Sequence, residues 1–318
     1  MLSRVADAIY WMTRSIERAE NIARIVDVNN NLLLDAPGIA EQWEPLVSTT
    51  ADLPLFRKHF GEPTRSNVIH FLTFDAANPN SIARCMGTAR ENARAVRDQI
   101  SSEMWEQVNT LYHTVRAADG LPAGDALATF LRRVRTEAHR FEGITDATMS
   151  RSEGWHFGRL GRMLERADKT SRIIDVKYFI LLPDVSEVGT PVDDLQWTAV
   201  LKSASAFEMY RKRHGRISPD SVAEFLVLDR GFPRSIQFCL AHAEESLRAI
   251  SGSAPGTFHN PAEQLLGRLR SMLGYADIGE IIGAGLHEFL DMLQTDMNRV
   301  GDAAHDTFFA LRPAGATV

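Results

Sequence analysis

Apolar residues recur at alternating three- and four-residue spacing near the start of the chain, and this spacing predicts an amphipathic helix over residues 3–34. A similar stripe predicts a second long helix over residues 153–182. The first stripe consists of Ile9, Met12, Ile16, Ala19, Ala23 and Val26, and the second includes Leu160, Leu164, Ala167, Ser171 and Ile174. No stretch alternates apolar and polar residues between hairpin turns, so the pattern favours an all-α fold.

Further helices are predicted between and after the two long ones. Residues 41–60 and 194–214 each predict one helix that ends before a glycine, Gly61 or Gly215. Starts of later helices are marked by polar caps and prolines in segments 64–66, 79–81, 218–220 and 233–235. Two more helices complete each half. No proline lies between Pro122 and Pro183, so the last helix of the first half is expected to run almost directly into the second half.

The sequence repeats itself. Residues 16–28 read IERAENIARIVDV and residues 164–176 read LERADKTSRIIDV, a shift of 148 positions. After an inserted loop the shift becomes 154 positions, and at this shift Cys85 aligns with Cys239. We therefore infer a tandem duplication of one multi-helix unit, with a first copy at 1–150 and a second at 151–318. The two copies are expected to pack as one continuous, pseudo-symmetric helical body.

Charged residues border both long apolar stripes, and five of them in each helix are identical between the copies. They are Arg14, Glu17, Arg18, Arg24 and Asp27 in the first helix and Arg162, Glu165, Arg166, Arg172 and Asp175 in the second. Arginine suits buried, bidentate contacts with carboxylates or phosphates. Two interpretations follow: a buried structural network, or a ligand-binding or catalytic site.

Local spacing predicts specific pairs among these charges. Glu20 with Arg24 has i,i+4 spacing, and Arg24 with Asp27 has i,i+3 spacing. Asp168, Arg172 and Asp175 repeat the pattern, and Glu20 and Asp168 are interpreted as members of solvated surface pairs. Surface pairs of this kind stabilise a helix by about 0.2–0.5 kcal/mol each.

His156 stands beside Trp155 and shortly before Arg159, Arg162 and Arg166. A histidine and an aromatic ring near three arginines would suit an anionic or peptide-like ligand, with the imidazole titrating near neutrality. The alternative is an ordinary histidine at the edge of the core.

Composition narrows the possible functions. The formal net charge is −6 and the pI is about 5.9, so the basic footprint of nucleic-acid binding is missing. The two cysteines have neither CxxC spacing nor a Cys/His cluster nearby, and no metal or cofactor site is predicted. No apolar run approaches the roughly 20 residues that cross a bilayer, and the first residues lack the apolar core of a secretory signal. A cytoplasmic protein without membrane contact is expected.

The segments LSRVADAIYWMTRSIERAENIARIVDV and GRLGRMLERADKTSRIIDVKYF resemble the Alpha-E family, bacterial helical proteins named for a Glu-Arg motif. The resemblance implies an association with circularly permuted ATP-grasp ligase-like proteins and with transglutaminase-like proteins, in peptide synthesis or modification. Two hypotheses follow. The chain is a helical accessory protein that partners such a ligase-like protein, or it is an enzyme of the same pathway that uses the Glu-Arg pairs for acid/base chemistry or anion binding.

Overall fold

A computed structural model describes residues 1–35, 43–118, 124–177 and 190–310. Within these ranges the chain forms fifteen α-helices and no β-strand, which confirms the predicted all-α class. No helix in the same ranges has the length and apolar character required to cross a bilayer. The helices are α1 Ser3–Asp35, α2 Glu44–Ser48, α3 Leu53–Phe60, α4 Arg65–Thr73, α5 Ile82–Ala95, α6 Ser102–Ala117, α7 Asp125–Thr148, α8 Glu153–Asp175, α9 Pro191–Ser203, α10 Phe207–Arg213, α11 Pro219–Leu228, α12 Ile236–Ser251, α13 Pro261–Gly274, α14 Ile278–Ala284 and α15 Leu286–Ala304.

The two long helices lie at the centre of the molecule. Helix α1 packs against α8, α5 and α7, and α8 packs in addition against α12 and α15. Their apolar stripes enter one core, where Met12, Ala19, Leu160 and Ile174 are essentially inaccessible to solvent. Because α1 and α8 contact each other along their lengths, charged residues beside the stripes are brought face to face.

The predicted start of α8 and four predicted helix starts are confirmed. Four residues separate the end of α7 from α8, as expected from the absence of proline. Hydroxyl groups of Thr64, Ser81, Ser218 and Ser235 each accept a hydrogen bond from a backbone N–H in the first turn of α4, α5, α11 and α12. These caps satisfy amides that a helix N-terminus otherwise leaves unpaired.

The prediction of one helix over 41–60 and of one helix over 194–214 is wrong. Each stretch instead contains two short helices, α2 with α3 and α9 with α10. The breaks contain Ala51 with φ 62° and Ser205 with φ 51°, and a left-handed residue cannot continue a right-handed helix. Apolar spacing alone did not reveal these turns. Residues 41–42, and residues 178–182 of the predicted second long helix, lie outside the described ranges.

Small residues allow α1 and α8 to approach closely. The Thr13 hydroxyl donates a 2.8 Å hydrogen bond to the Gly158 carbonyl of the opposite helix. At Gly161, an added Cβ would lie 2.6 Å from the backbone oxygen of Tyr10 and 3.0 Å from its ring carbon Cδ2. A side chain at 161 would therefore push the two helices apart.

We expect Gly161→Ala to destabilise the fold by about 1–3 kcal/mol, because the added methyl group meets backbone that cannot move aside easily. Gly143→Ala in α7 is the matched control, since a Cβ there meets nothing within 4 Å. That control should be neutral or more stable by up to about 1 kcal/mol. Urea unfolding of both variants measures the difference, and equal stabilities would contradict the proposed helix contact.

Candidate functional site

Glu165 lies at the α1–α8 interface and is fully buried. Its Oε1 accepts a hydrogen bond from Arg18 Nε at 2.6 Å, and its Oε2 accepts one from Arg18 Nη2 at 2.8 Å. Arg14 Nε donates to Oε2 at 2.9 Å, and Lys169 Nζ lies 3.7 Å from Oε1. Two arginines of α1 thus hold one carboxylate of α8, and the contact with Arg18 is bidentate.

Glu17 and Arg166 form the reverse contact. Arg166 of α8 donates from Nε to Glu17 Oε1 at 2.8 Å and from Nη2 to Oε2 at 2.9 Å. The Glu-Arg dipeptide of each long helix therefore exchanges partners with the dipeptide of the other. We call Glu17, Arg18, Glu165 and Arg166 the Glu-Arg cluster.

A second layer of side chains surrounds the Glu-Arg cluster, and sequence reasoning did not single it out. Arg234 donates to Glu17 Oε1 at 3.1 Å and to Glu20 Oε2 at 2.9 Å. Glu142 of α7 accepts from Arg166 at 3.1 Å, and Asn80 accepts from Arg18 at 2.6 Å. Asn80 and Arg234 each directly precede a predicted helix cap, but nothing in the sequence indicates where their side chains point.

The cluster keeps both of its carboxylates ionised. Burial by itself raises the pKa of Glu17, but Arg166 and Arg234 outweigh burial and hold that pKa well below its ordinary value. Glu165 behaves alike: burial opposes ionisation, and Arg18, Lys169 and Arg14 lower its pKa. A glutamate that acts in acid/base catalysis near neutral pH needs a raised pKa, whereas these two pKa values are lowered. The geometry therefore favours a clamp between helices.

The two cysteines lie beside the cluster as neutral thiols. Both are free and buried. Burial raises the pKa of Cys85 and of Cys239 to about 12 in each case. Since the thiolate is the reactive form, neither sulfur is activated as a nucleophile.

Acid should unfold the protein through this cluster. The folded-state pKa values of Glu17 and Glu165 lie below the ordinary value of 4.5, so their stabilisation is complete above that pH and is lost as pH falls below it. Urea unfolding at pH 7, 5, 4 and 3 should show a steep loss of stability below pH 5. Glu165→Gln should lose less stability over the same interval, because one of the titrating carboxylates is gone. An unchanged slope in this variant would contradict the assignment.

The interpretation of Glu20 and Asp168 as solvated is wrong. Glu20 is 1% exposed and Asp168 is 7% exposed. Their predicted i,i+4 partners are correct, because Arg24 contacts Glu20 and Arg172 Nε lies 3.0 Å from Asp168. Packing around α1 and α8 covers these pairs, a consequence of tertiary structure that helix spacing does not reveal.

The predicted i,i+3 pairs are also wrong. Asp27 accepts a 2.8 Å hydrogen bond from Arg135 of α7, and Asp175 lies 2.6 Å from His287 Nδ1 of α15. Neighbouring helices supply these partners and leave Arg24 to Glu20 and to the hydroxyl of Ser205. Burial, followed by repulsion from Arg234 and Arg135, lowers the pKa of Arg24 to about 8.

The arginines near His156 already face carboxylates. Arg159 lies 3.0 Å from Glu245 and Arg162 lies 3.3 Å from Glu142, and Arg166 binds Glu17 as described above. Burial lowers the pKa of His156, and Arg159 adds to the effect. His156 itself packs edge-on against Trp155 at a centroid distance of 5.0 Å. His156 therefore lies at the edge of the core, and its arginine neighbours are paired.

The space beside the cluster is small. A narrow cavity between α1, α7 and α8, lined by Glu17, Glu142 and Arg162 among others, has a volume of about 20 Å³, which holds roughly one water molecule. In the described ranges, no group of three or more His, Cys, Asp or Glu side chains is arranged to hold a metal ion. The cavity volume favours a closed structural network at this position.

The arrangement of two Glu-Arg helices agrees with a known family. The sequence profile of the Alpha-E family, a predicted alpha-helical domain with a conserved ER motif, matches residues 1–309. The chain belongs to the Alpha-E family. The resemblance read from the two Glu-Arg helices is thereby confirmed over essentially the whole chain.

Curated relatives of this Alpha-E chain are known in mycobacteria and are uncharacterised. One from Mycobacterium bovis and two from Mycobacterium tuberculosis are each 22% identical to it over an alignment of 344 positions, gaps included. The alignment covers 98% of this chain but 37% of each relative, so the chain spans little more than a third of their length. No solved structure matches it.

Proposed function

We propose that this Alpha-E chain is a helical accessory protein that partners an ATP-grasp ligase-like protein in peptide synthesis or modification. A transglutaminase-like protein is a second proposed partner in the same process, and the proposed location is the cytoplasm. In this role the chain docks the ligase-like protein, presents its peptide substrate, or does both.

One observation carries the proposal: the glutamates and arginines of the family's motif bind one another. Glu17 and Glu165 are buried, ionised and bound by arginines of the opposite helix. An acid/base group needs access to substrate and a proton that it can exchange near neutral pH. The Glu-Arg cluster has neither, which supports the accessory role over the alternative of an enzyme that uses these pairs. Anion binding at the cluster is disfavoured likewise, because the guanidinium groups already have carboxylate partners.

The mycobacterial relatives add support. In them the region similar to this chain occupies 37% of a longer polypeptide. A helical unit that occurs joined to further chain is well suited to work beside another domain, and an equivalent contact could form between separate proteins.

We further propose that the chain arose by duplication, with copies at 1–150 and 151–318 packed as one pseudo-symmetric body. The left-handed residues Ala51 and Ser205 support this proposal, because they lie 154 positions apart, the same shift as Cys85 and Cys239. The exchange of partners in the Glu-Arg cluster fits a pseudo-twofold relation between the long helices. The positions of the left-handed residues and the exchange of partners are both structural observations, so neither depends on sequence identity between the copies.

The partnership is tested by mixing the purified chain with an ATP-grasp ligase-like protein encoded in the same genome and measuring the mass of the complex by light scattering. We expect a stable complex and no ATP-dependent peptide product from the chain alone. The Glu165→Ala/Arg166→Ala variant should form less complex only in proportion to the fraction of the variant that is unfolded, and a melting curve measures that fraction.

Other results would overturn parts of this proposal. The absence of any complex would refute the partnership. Catalysis by the isolated chain would favour the enzyme hypothesis. Loss of the complex at an unchanged melting temperature would mean that the Glu-Arg cluster contacts the partner directly, contrary to its burial.

A further inference from the structure

A second region of the molecule has the size and chemistry of a ligand site. A cleft of about 330 Å³ opens on the outer side of α12 and α13, within the range of small-molecule sites. This cleft is much larger than the 20 Å³ space beside the Glu-Arg cluster. Its walls are formed by Arg230, Gln237, Phe238, Ala241, Arg270, Gly274 and Tyr275.

Arg230 is held in a fixed position at this cleft. Its Nη2 donates a 2.9 Å hydrogen bond to the Gly274 carbonyl at the end of α13. The amide of buried Gln237, in the orientation that satisfies both of its polar atoms, donates to the Leu228 carbonyl at 2.6 Å and accepts from Arg230 Nε at 3.2 Å. Nη1 of Arg230 has no hydrogen-bond partner in the part of the chain that the structure describes. The guanidinium is thus anchored on one side and available on the other.

Arg270 supplies the second cation. Its side chain is 48% exposed, and its Nε lies 3.4 Å from Glu244, a longer and weaker contact than the bidentate pairs of the Glu-Arg cluster. Two guanidinium groups and one carboxylate leave one positive charge in excess at the cleft. One additional carboxylate would balance this charge.

Aromatic rings provide the apolar part of the cleft. Phe238 is half-buried and packs edge-on against His242 at a centroid distance of 4.0 Å. Tyr275 is 93% exposed, so almost none of its ring is covered by the chain itself. Tyrosine and arginine together are typical of surfaces that bind other molecules. A ligand with an apolar side chain would bury this ring.

We propose that the cleft binds the terminal carboxylate of a peptide whose last residue is aromatic or large and apolar. Arg230 and Arg270 receive the carboxylate, as planar guanidinium groups do, and Phe238 and Tyr275 hold the last side chain. This inference does not depend on the proposed ligase-like partner.

Isothermal titration calorimetry with the full chain tests the proposal. The probes are acetyl-Gly-Ser-Phe with a free carboxylate and the same peptide as a carboxamide. The acid should bind, and the amide should bind at least about tenfold more weakly, since a charged hydrogen bond is lost. Arg270→Gln and Tyr275→Ala should each weaken binding of the acid by about tenfold.

Arg268→Gln is the matched control, because Arg268 lies on the same helix but lines a different cleft. It should leave the affinity unchanged, and melting curves should show that all three variants fold. Equal affinity for acid and amide, no binding of either peptide, or an equal loss in Arg268→Gln would overturn the proposal. Displacement of the peptide by an equal concentration of inorganic phosphate would overturn the preference for a carboxylate.

Discussion

Glu165→Ala is expected to lower the free energy of unfolding by about 3–5 kcal/mol, the typical result of removing one partner from a buried ion pair. The variant leaves the half-buried Arg14 and Arg18 at the interface without the carboxylate that binds both of them at 2.6–2.9 Å. Urea unfolding followed by circular dichroism measures the loss.

The control for this variant is Glu44→Ala. Glu44 pairs with Arg57 at 2.8 Å, but both side chains are well exposed, at 38% and 60%. Exposed pairs contribute about 0–1 kcal/mol, so this control should change stability little. If the two variants were equally stable, the Glu-Arg cluster would not be the buried clamp described here.

The second large effect is a coupling between Glu17 and Arg166. Glu17→Gln and Arg166→Met should each destabilise the fold by about 2–4 kcal/mol, because each leaves a buried charge without its main partner. The double variant should be less destabilised than the sum of the two, by about 2–3 kcal/mol. A complete double-mutant cycle of unfolding free energies gives this value.

A second cycle tests whether the coupling is specific. It combines Arg166→Met with Glu91→Gln in α5, where Glu91 is 54% exposed and pairs with Arg94. These two changes share no contact, so their effects should add to within about 0.5 kcal/mol. Additivity in the first cycle as well would mean that Glu17 and Arg166 act independently, against their bidentate geometry.

The structure gives a physical reason for arginine in the family's motif. Each arginine spans from one long helix to the other and uses its fork to hold both oxygens of a carboxylate. Lysine has one compact ammonium group and cannot make the same two parallel hydrogen bonds. The motif therefore fixes the register of α1 against α8, and surfaces such as the cleft at Arg230 and Tyr275 remain for binding other molecules.

Much of the helical framework could be predicted from the sequence. Apolar spacing identified α1 and the start of α8, and Thr64 and Ser235 marked helix starts, because these signals act within one or two turns of the chain. The same local reasoning failed where two turns interrupt the pattern. Ala51 and Ser205 adopt a left-handed conformation without being glycines, so nothing in the local sequence marked these two breaks.

The sequence by itself determined which charges the site contains, and only the tertiary structure decided which of them meet. Local spacing correctly predicted contacts one turn apart, such as Asp168 with Arg172. It could not predict that Glu17 would bind Arg166, 149 positions away, or that Arg234 would join them. The reason is physical: periodicity fixes the side of a helix on which a side chain lies, whereas its partner depends on the helix that packs there and on how closely Gly158 and Gly161 let that helix approach.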